Sequence, residues 1–323
     1  MVSVFRSEAA KRALGPGIAL VFLTVLVSGV SNFVNFKAVQ GTNVDAWIAV
    51  RNAVVALLLV PPALLLGRGS RKRLAPADWV RLIVIGLVGG AVPFLLYFHG
   101  FQMALGQGGA AAASLGYRSL FLVATVLSIV FLRERIPRRF FLAAALLLGG
   151  NVLLLAVSGP IWTDGTVFVL LATALWAGEY TLSKRALRAL PSGVVAEARM
   201  GFGALFLIAY LAITGQVASV AQFSGADWMM LSLSALLLFG FVATWYAGLK
   251  TVDLSVASSL LVLAFPITWL LGVLTTGEGV TLSQVGGAVA IFAGAGLVVS
   301  LVSLRGAWGA LVRAVRSRIV RSE

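Results

Sequence analysis

Ten apolar runs of about 20 residues each divide the chain, at roughly 17–36, 44–66, 79–104, 109–131, 139–157, 166–187, 193–213, 228–249, 254–275 and 280–303. An α-helix needs about 20 residues to cross the ~30 Å hydrocarbon core of a bilayer. Lipid offers no hydrogen bonds, so a chain inside it must satisfy its own backbone, as a helix or as a closed barrel. Barrel strands alternate polar and apolar residues, whereas these runs are apolar throughout, so the expected class is all-α and integral to a membrane. Composition agrees. Only 11% of the 323 residues are charged, where a soluble domain keeps about a quarter. No polar stretch between the runs is long enough to form a soluble domain.

The charges that do occur are sorted. Alternate connections hold Arg6, Lys11 and Arg12, then Arg68, Arg71, Lys72, Arg73 and Arg81, then Arg133, Arg135, Arg138 and Arg139, then Lys184, Arg185 and Arg188, then Lys250. The tail adds Arg305, Arg313, Arg316, Arg318 and Arg321, and the intervening connections offer only Lys37. By the positive-inside rule the basic side is cytoplasmic, which places both termini there and requires an even number of spans. The net charge of +14 therefore reads as membrane topology and not as a nucleic-acid surface. Within the tail, Trp308, Leu311, Val312, Val315 and Ile319 share one helical face amid arginines, the pattern of an amphipathic helix on an anionic leaflet. The first run is too long for a cleaved signal peptide and reads as a retained span.

The two halves of the sequence repeat. Ala77-Asp78-Trp79 opens the third run and Ala226-Asp227-Trp228 the eighth; Lys37 closes the first as Lys184 closes the sixth. Arg51 and Arg199 enter the second and seventh, and Tyr97 and Gly100 match Trp245 and Gly248. All these pairs are separated by 147 to 149 residues. Five spans per half is an odd number, so the second copy enters the membrane from the opposite side. That is an inverted repeat, an architecture of many secondary transporters. The expected division is 1–158 for the first five-helix repeat, 159–304 for the second and 305–323 for the basic tail.

These residues resemble the EamA-like branch of the drug/metabolite transporter superfamily, from about Ala19 to Leu301. The likeness rests on Asn32-Phe33 through Lys37, on Arg51 and Arg199, and on Phe131-Leu132-Arg133-Glu134-Arg135 after the fourth run. It rests too on Pro266 and Gly277-Glu278 in and after the ninth, and on the glycines Gly149-Gly150, Gly286-Gly287 and Gly294 of the spans that end each half. One departure stands out: the first-half position matching Pro266 is Leu122, and the two glutamates are offset by 144 residues. The resemblance implies ten helices, a central cavity between the halves, and export of amino acids or other metabolites.

Enzyme signatures are missing: no H-E-x-x-H, G-x-S-x-G or P-loop occurs. With no Cys and one His, thiolate chemistry and the ordinary zinc sites are excluded, so no cofactor or metal is expected. Gly201-x-Gly203 and Gly294-x-Gly296 lie inside apolar runs and read as close helix packing.

The candidate site residues are polar groups inside the spans. Glu179 follows the apolar stretch 166–178, and a carboxylate at the centre of an inserted helix costs about 2.5–3.5 kcal/mol. It must therefore face the bundle interior. Two readings stand: a coupling group for protons or a contact for a substrate amine, or a structural ion pair with Arg118 or Lys184. Arg118 in turn is either a clamp for a substrate carboxylate or the partner of Glu179. His99 is either a proton sensor or a helix–helix contact. Arg51 and Arg199 either snorkel to the headgroups or act as gates that pair with carboxylates, and Glu197 is placed to meet Lys184. Among the intramembrane aromatics, Tyr97 and Trp245 are the expected cavity pair.

Taken together these features describe a secondary transporter that works by alternating access on a small metabolite, with proton coupling through Glu179 as an open possibility. The expected setting is a bacterial inner membrane. A lipid-handling, flippase-like protein and a structural membrane protein are the rival classes, but scaffolding needs neither internal symmetry nor interior charge. The topology is testable. Reporters fused at Arg71 and Arg313 should both report the cytoplasmic face, and opposite faces would overturn the orientation.

Overall fold

The computed structural model describes residues 2–38, 42–67, 74–157, 159–277 and 279–301, with the backbone alone for 2–14, 36–38 and 66–67. The tail 305–323 and Glu278 lie outside these residues, and Lys37 is described by its backbone only. All regular structure among the described residues is helical.

The helices are α1 (Val2–Ala38), α2 (Val44–Gly67), α3 (Pro76–Ile85), α4 (Val92–Gly106), α5 (Ala110–Arg118), α6 (Leu120–Leu127), α7 (Arg139–Leu155), α8 (Asp164–Ala186), α9 (Ser192–Ile213), α10 (Gly225–Thr251), α11 (Leu254–Leu261), α12 (Ala264–Thr276) and α13 (Leu282–Leu301). Some of these join end to end, so that Pro76–Gly106, Ala110–Leu132 and Leu254–Thr276 are each one long apolar segment. Nine segments among the described residues are long and apolar enough to cross a membrane, and α7 is a shorter apolar helix.

The repeated Ala-Asp-Trp has a physical role at both positions. Asp227 Oδ2 accepts the N–H of Ser224 at 2.8 Å, and the Ser224 hydroxyl accepts the N–H of Asp227, closing a capping box at the start of α10. Asp78 does half of the same work, accepting the N–H of Ala75 at 3.3 Å, while Pro76 occupies the first helical position. Each half thus starts its third segment with an aspartate that satisfies an orphan N–H.

Three helix crossings hold the bundle: α1 on α10, α4 on α8, and α2 on α9. The first two use matched glycines. A Cβ on Gly248 would lie 3.1 Å from the Gly17 carbonyl oxygen, and one on Gly100 would lie 2.9 Å from that of Gly165. Small residues let transmembrane backbones touch, and 148 residues separate both members of one contact from those of the other. Of the two glycine pairs inside apolar runs, Gly203 packs on Gly90 and Gly294 on Ala143, whereas Gly296 meets nothing within 4 Å.

Two of the long segments break in the middle. The last stops at Val262–Leu263 because Pro266 has no N–H for the carbonyl of Val262, four residues back. Its counterpart stops at Ser119, 144 residues earlier, with no proline at Leu122. There the Ser119 hydroxyl donates to the Gly116 carbonyl at 2.6 Å and its N–H reaches both Leu115 and Gly116. Each half therefore has a broken helix at the same place, made by different means.

Candidate functional site

The third segment also departs from the α-helix. Residues Gly86–Ala91, sequence Gly-Leu-Val-Gly-Gly-Ala, form a π-helical turn, a feature common at functional sites. The wider turn leaves carbonyls for side chains of other helices. Trp176 Nε1 on α8 donates to Gly89 O at 3.1 Å, and Asn52 Nδ2 on α2 donates to Gly90 O at 3.0 Å. The glycines also make room. A Cβ on Gly89 would strike the side chain of Glu179, and a Cβ on Gly90 would strike the backbone of Arg199. This turn is the seat of the buried charges.

Glu179 is fully buried. Its Oε1 accepts from Ser183 Oγ, one helical turn on, and from Tyr246 Oη on α10, each at 2.5 Å. Its Oε2 lies 3.7 Å from Arg199 Nε on α9. The carboxylate thus ties α8, α9 and α10 together. The expected alternatives were pairing with Arg118 or Lys184, and the structure gives neither. Arg118 ends α5 with its guanidinium 3.3 Å from the ring centre of Phe265 on α12. Lys184 donates to the carbonyls of Leu249 and Val252, both at 2.7 Å.

Arg51 and Arg199 do not snorkel. They are 1% and 2% exposed and face inward. Arg51 donates through Nε and Nη2 to Asn52 Oδ1 at 3.2 and 3.1 Å, with its guanidinium carbon 4.8 Å from the Trp47 ring and 5.0 Å from Phe94. Arg199 lies 5.9 Å from the same Phe94 ring. Packing explains the inward turn: both arginines occur early in helices that cross one another, so their side chains point into the crossing.

These groups border a central cavity of about 590 Å³, mouth included, lined by Ser28, Ser31, Asn32 and Asn35 of α1, by Arg51 and Arg199, by Phe94, Tyr97 and Phe98 of α4, by Tyr117, Trp176 and Tyr180, and by Leu238 and Phe241 of α10. Trp176 and Tyr180 share a face of α8 one turn apart. Tyr97 packs at 5.0 Å on Tyr117 and 5.5 Å on Trp176. Trp245 is not on the cavity wall; it lies behind it, 4.7 Å from Tyr180 and 6.2 Å from Phe241. The expected Tyr97/Trp245 pair is therefore split, because α10 turns Tyr246 and Trp245 into the α8 contact. Arg118 borders a smaller neighbouring pocket with Ser28, Asn32 and Tyr117.

Glu197 and Lys184 are also apart. Glu197 lines an apolar groove between α2, α3 and α9 beside Gly201, and its Oε2 has no hydrogen-bond partner. At the Lys184 end of the bundle the lysine is joined by Glu134, whose carboxylate accepts the N–H groups of Leu254 and Ser255 at 2.8 and 3.0 Å and the Ser255 hydroxyl at 2.6 Å. Those bonds cap α11 with a residue from the other half of the chain. At the opposite end His99 Nε2 meets Asp45 Oδ1 at 2.7 Å, and Asp45 Oδ2 accepts from Gln216 at 3.2 Å and Tyr210 at 3.4 Å. His99 thus joins α4 to α2, with α9 alongside. Asp45, Glu134 and Asn32 were not among the expected site residues, although Asn32 and Glu134 sit in stretches that carry the family resemblance.

Broken apolar helices around a charged, polar cavity make up the kind of site that membrane transporters build at mid-depth. The particular family follows from comparison: the model of the EamA-like transporter family matches residues 15–156 and 163–300, and the chain belongs to that family. It is a multi-pass membrane protein of a family that carries small molecules. A solved crystal structure, described simply as that of a protein, has the same fold, with a TM-score of 0.73 and 19% identity over 89% of this chain and 98% of the other. No curated protein matches the chain.

The Glu179–Arg199 contact makes a sharp expectation. Removing one member of a buried ion pair strands the other and costs about 3–5 kcal/mol. Glu179→Gln or Arg199→Gln alone should therefore lower the thermal stability of the purified protein, and the double variant should recover part of the loss. A double variant no more stable than the worse single one would show that the two charges do not depend on each other.

Proposed function

We propose that the protein is a secondary transporter that moves a small metabolite by alternating access between two inverted five-helix halves, 1–158 and 159–304. The observation that carries this reading is the central cavity, walled by helices of both halves and bordered by Arg51 and Arg199, the latter paired with the buried Glu179, charges that a purely structural bundle would not need. In this reading α7 is the tenth span. Its 17 residues rise about 26 Å at ~1.5 Å per residue, within the range that crosses a bilayer. The membrane in this reading is a bacterial inner membrane with both termini in the cytoplasm, and export is the direction that the family resemblance favours.

The matched crossings at Gly100 and Gly248 and the matched breaks at Ser119 and Leu263 support the inverted relation. The bonds of Glu134 and Lys184 hold the basic end shut, while the cavity wall extends along α1 to Asn35, toward the opposite end. That is an arrangement with its cytoplasmic mouth closed. Glu134 and the N–H groups it accepts, and Lys184 and the carbonyls it reaches, would part when the mouth opens, so the gate assigned by sequence to Glu197 and Lys184 passes to Glu134 and Lys184. Arg51 and Arg199 line the transport path. A lipid-handling role is less well supported, because the polar groups line the interior and the groove beside Glu197 is apolar.

Glu179 is the group we assign to proton coupling. It pairs with Arg199, which lines the cavity, and its protonation would release Arg199, which links its charge to the shape of the cavity. Glu179→Gln keeps the shape and cannot titrate. In proteoliposomes the variant should lose accumulation driven by a pH gradient while keeping counterflow exchange of the same solute. Accumulation at the wild-type rate would remove Glu179 from the coupling step.

A further inference from the structure

The charges around the central cavity do not balance. Arg51 and Arg199 stand on its wall and Arg118 beside it, while Glu179 is the only carboxylate within 4.0 Å of any of them among the described residues. Glu179 is itself already paired: two hydroxyls occupy Oε1, and Oε2, which makes no hydrogen bond, faces Arg199 at 3.7 Å. A substrate amine would have to displace Arg199 from that carboxylate. The arginines are less well satisfied. Arg199 Nε and Nη1 are buried and make no hydrogen bond, although the residue lines the cavity. Arg51 spends two donors on Asn52 and has no carboxylate within 4.0 Å. The two guanidiniums lie 5.0 and 5.9 Å from the Phe94 ring centre and act on each other as like charges. Like charges in a site of low dielectric repel strongly, and an unpaired buried charge calls for a counter-ion.

We propose that the cavity is an anion seat: its substrate is a small organic anion with a flat apolar body, the carboxylate or phosphate head held between Arg51 and Arg199. This deepens the carrier reading above and rests on it. The planar guanidinium presents parallel N–H donors to such a head, and Arg199 Nη1 is the donor left vacant for it. The body lies against Phe94, Tyr97, Tyr117 and Trp176, whose rings meet one another at angles of 53° to 81° and present edges and faces to a flat guest. Asn32 of α1 adds an amide to the cavity wall, where the Asn35 amide is held by Ser31 and Ser234. Arg118, turned onto Phe265, adds positive potential without taking a place in the seat.

Purified full-length protein in detergent, titrated with benzoate, phenyl phosphate and phenethylamine, decides the matter on the unmodified chain. Ligands that bind only the folded state raise its melting temperature. Benzoate or phenyl phosphate should raise Tm saturably and phenethylamine should not, the two anions reporting which head the seat prefers. Arg51→Gln should abolish the shift, and Arg51→Lys, which keeps charge but not the fork, should weaken it at least several-fold in concentration. A Tm rise with phenethylamine equal to or above that with the anions would overturn the proposal, as would an undiminished anion shift in Arg51→Gln. Counterflow in proteoliposomes separates this from the carrier reading. Phenethylamine exchanging where the anions do not would sink the anion seat and leave a carrier. Anions that stabilise the protein yet never exchange would leave the seat and count against the carrier.

Discussion

The contact between Glu179 and Arg199 across the π turn at Gly86–Ala91 is the feature on which the arrangement of the bundle interior turns. A full charge cannot be left alone in an apolar span, so α8 and α9 must come close enough for 3.7 Å between Oε2 and Nε. They can do so because the intervening backbone carries no side chains at Gly89 and Gly90. The wider π turn then exposes two carbonyls, and Trp176 and Asn52 take them. That pins α8 and α2 to the same point. Tyr246 closes the circle from α10. Four helices from both halves are thus fixed at mid-depth by polar contacts, and the cavity is the space that remains between them.

Such a centre is firm in its local geometry and loose in its ends. At the basic end the ties are charge-assisted hydrogen bonds to backbone, from Lys184 to the end of α10 and from the start of α11 to Glu134. At the other end they are Asp45 with His99, Gln216 and Tyr210. Bonds of this kind can be exchanged for water without disturbing an apolar core. The helix crossings at glycine, by contrast, have no slack, since an added methyl would collide with backbone. Motion by which the halves rock about fixed crossings and trade one set of end contacts for the other is the movement this distribution of contacts permits.

The spans and their repeat were legible in the sequence because lipid imposes length and apolarity on each segment. The repeat was written in glycines and caps: Asp78 and Asp227, Gly100 and Gly248 do the same work in each half. The interior pairings were not legible. Glu179 could be recognised as a buried charge, but Arg51, Arg118 and Arg199 all lie several residues inside a span and linear position does not reveal which one meets it. Arg118, one of the two partners expected, does not meet Glu179; the break at Ser119, made by a hydroxyl rather than a proline, leaves it at the end of α5 facing Phe265. Ser183, one turn from Glu179 on the same helix face, was the one partner that spacing alone could have supplied. Tyr97 and Trp245 correspond in the repeat yet lie on and behind the wall, since equivalent positions need not keep equivalent neighbours once the two halves adopt different mouths.

Alternating access is the central claim, and the distance across the basic end tests it most directly. The chain has no Cys, so spin labels can be placed at the exposed positions Arg133 and Thr251, next to the Glu134 and Val252 contacts. Pulsed EPR on the protein in a bilayer should find two distances, one short and one longer, whose ratio shifts when a transported solute is added, because a ligand moves an existing equilibrium. One distance that stays fixed with and without such a solute would contradict a carrier that opens at this end.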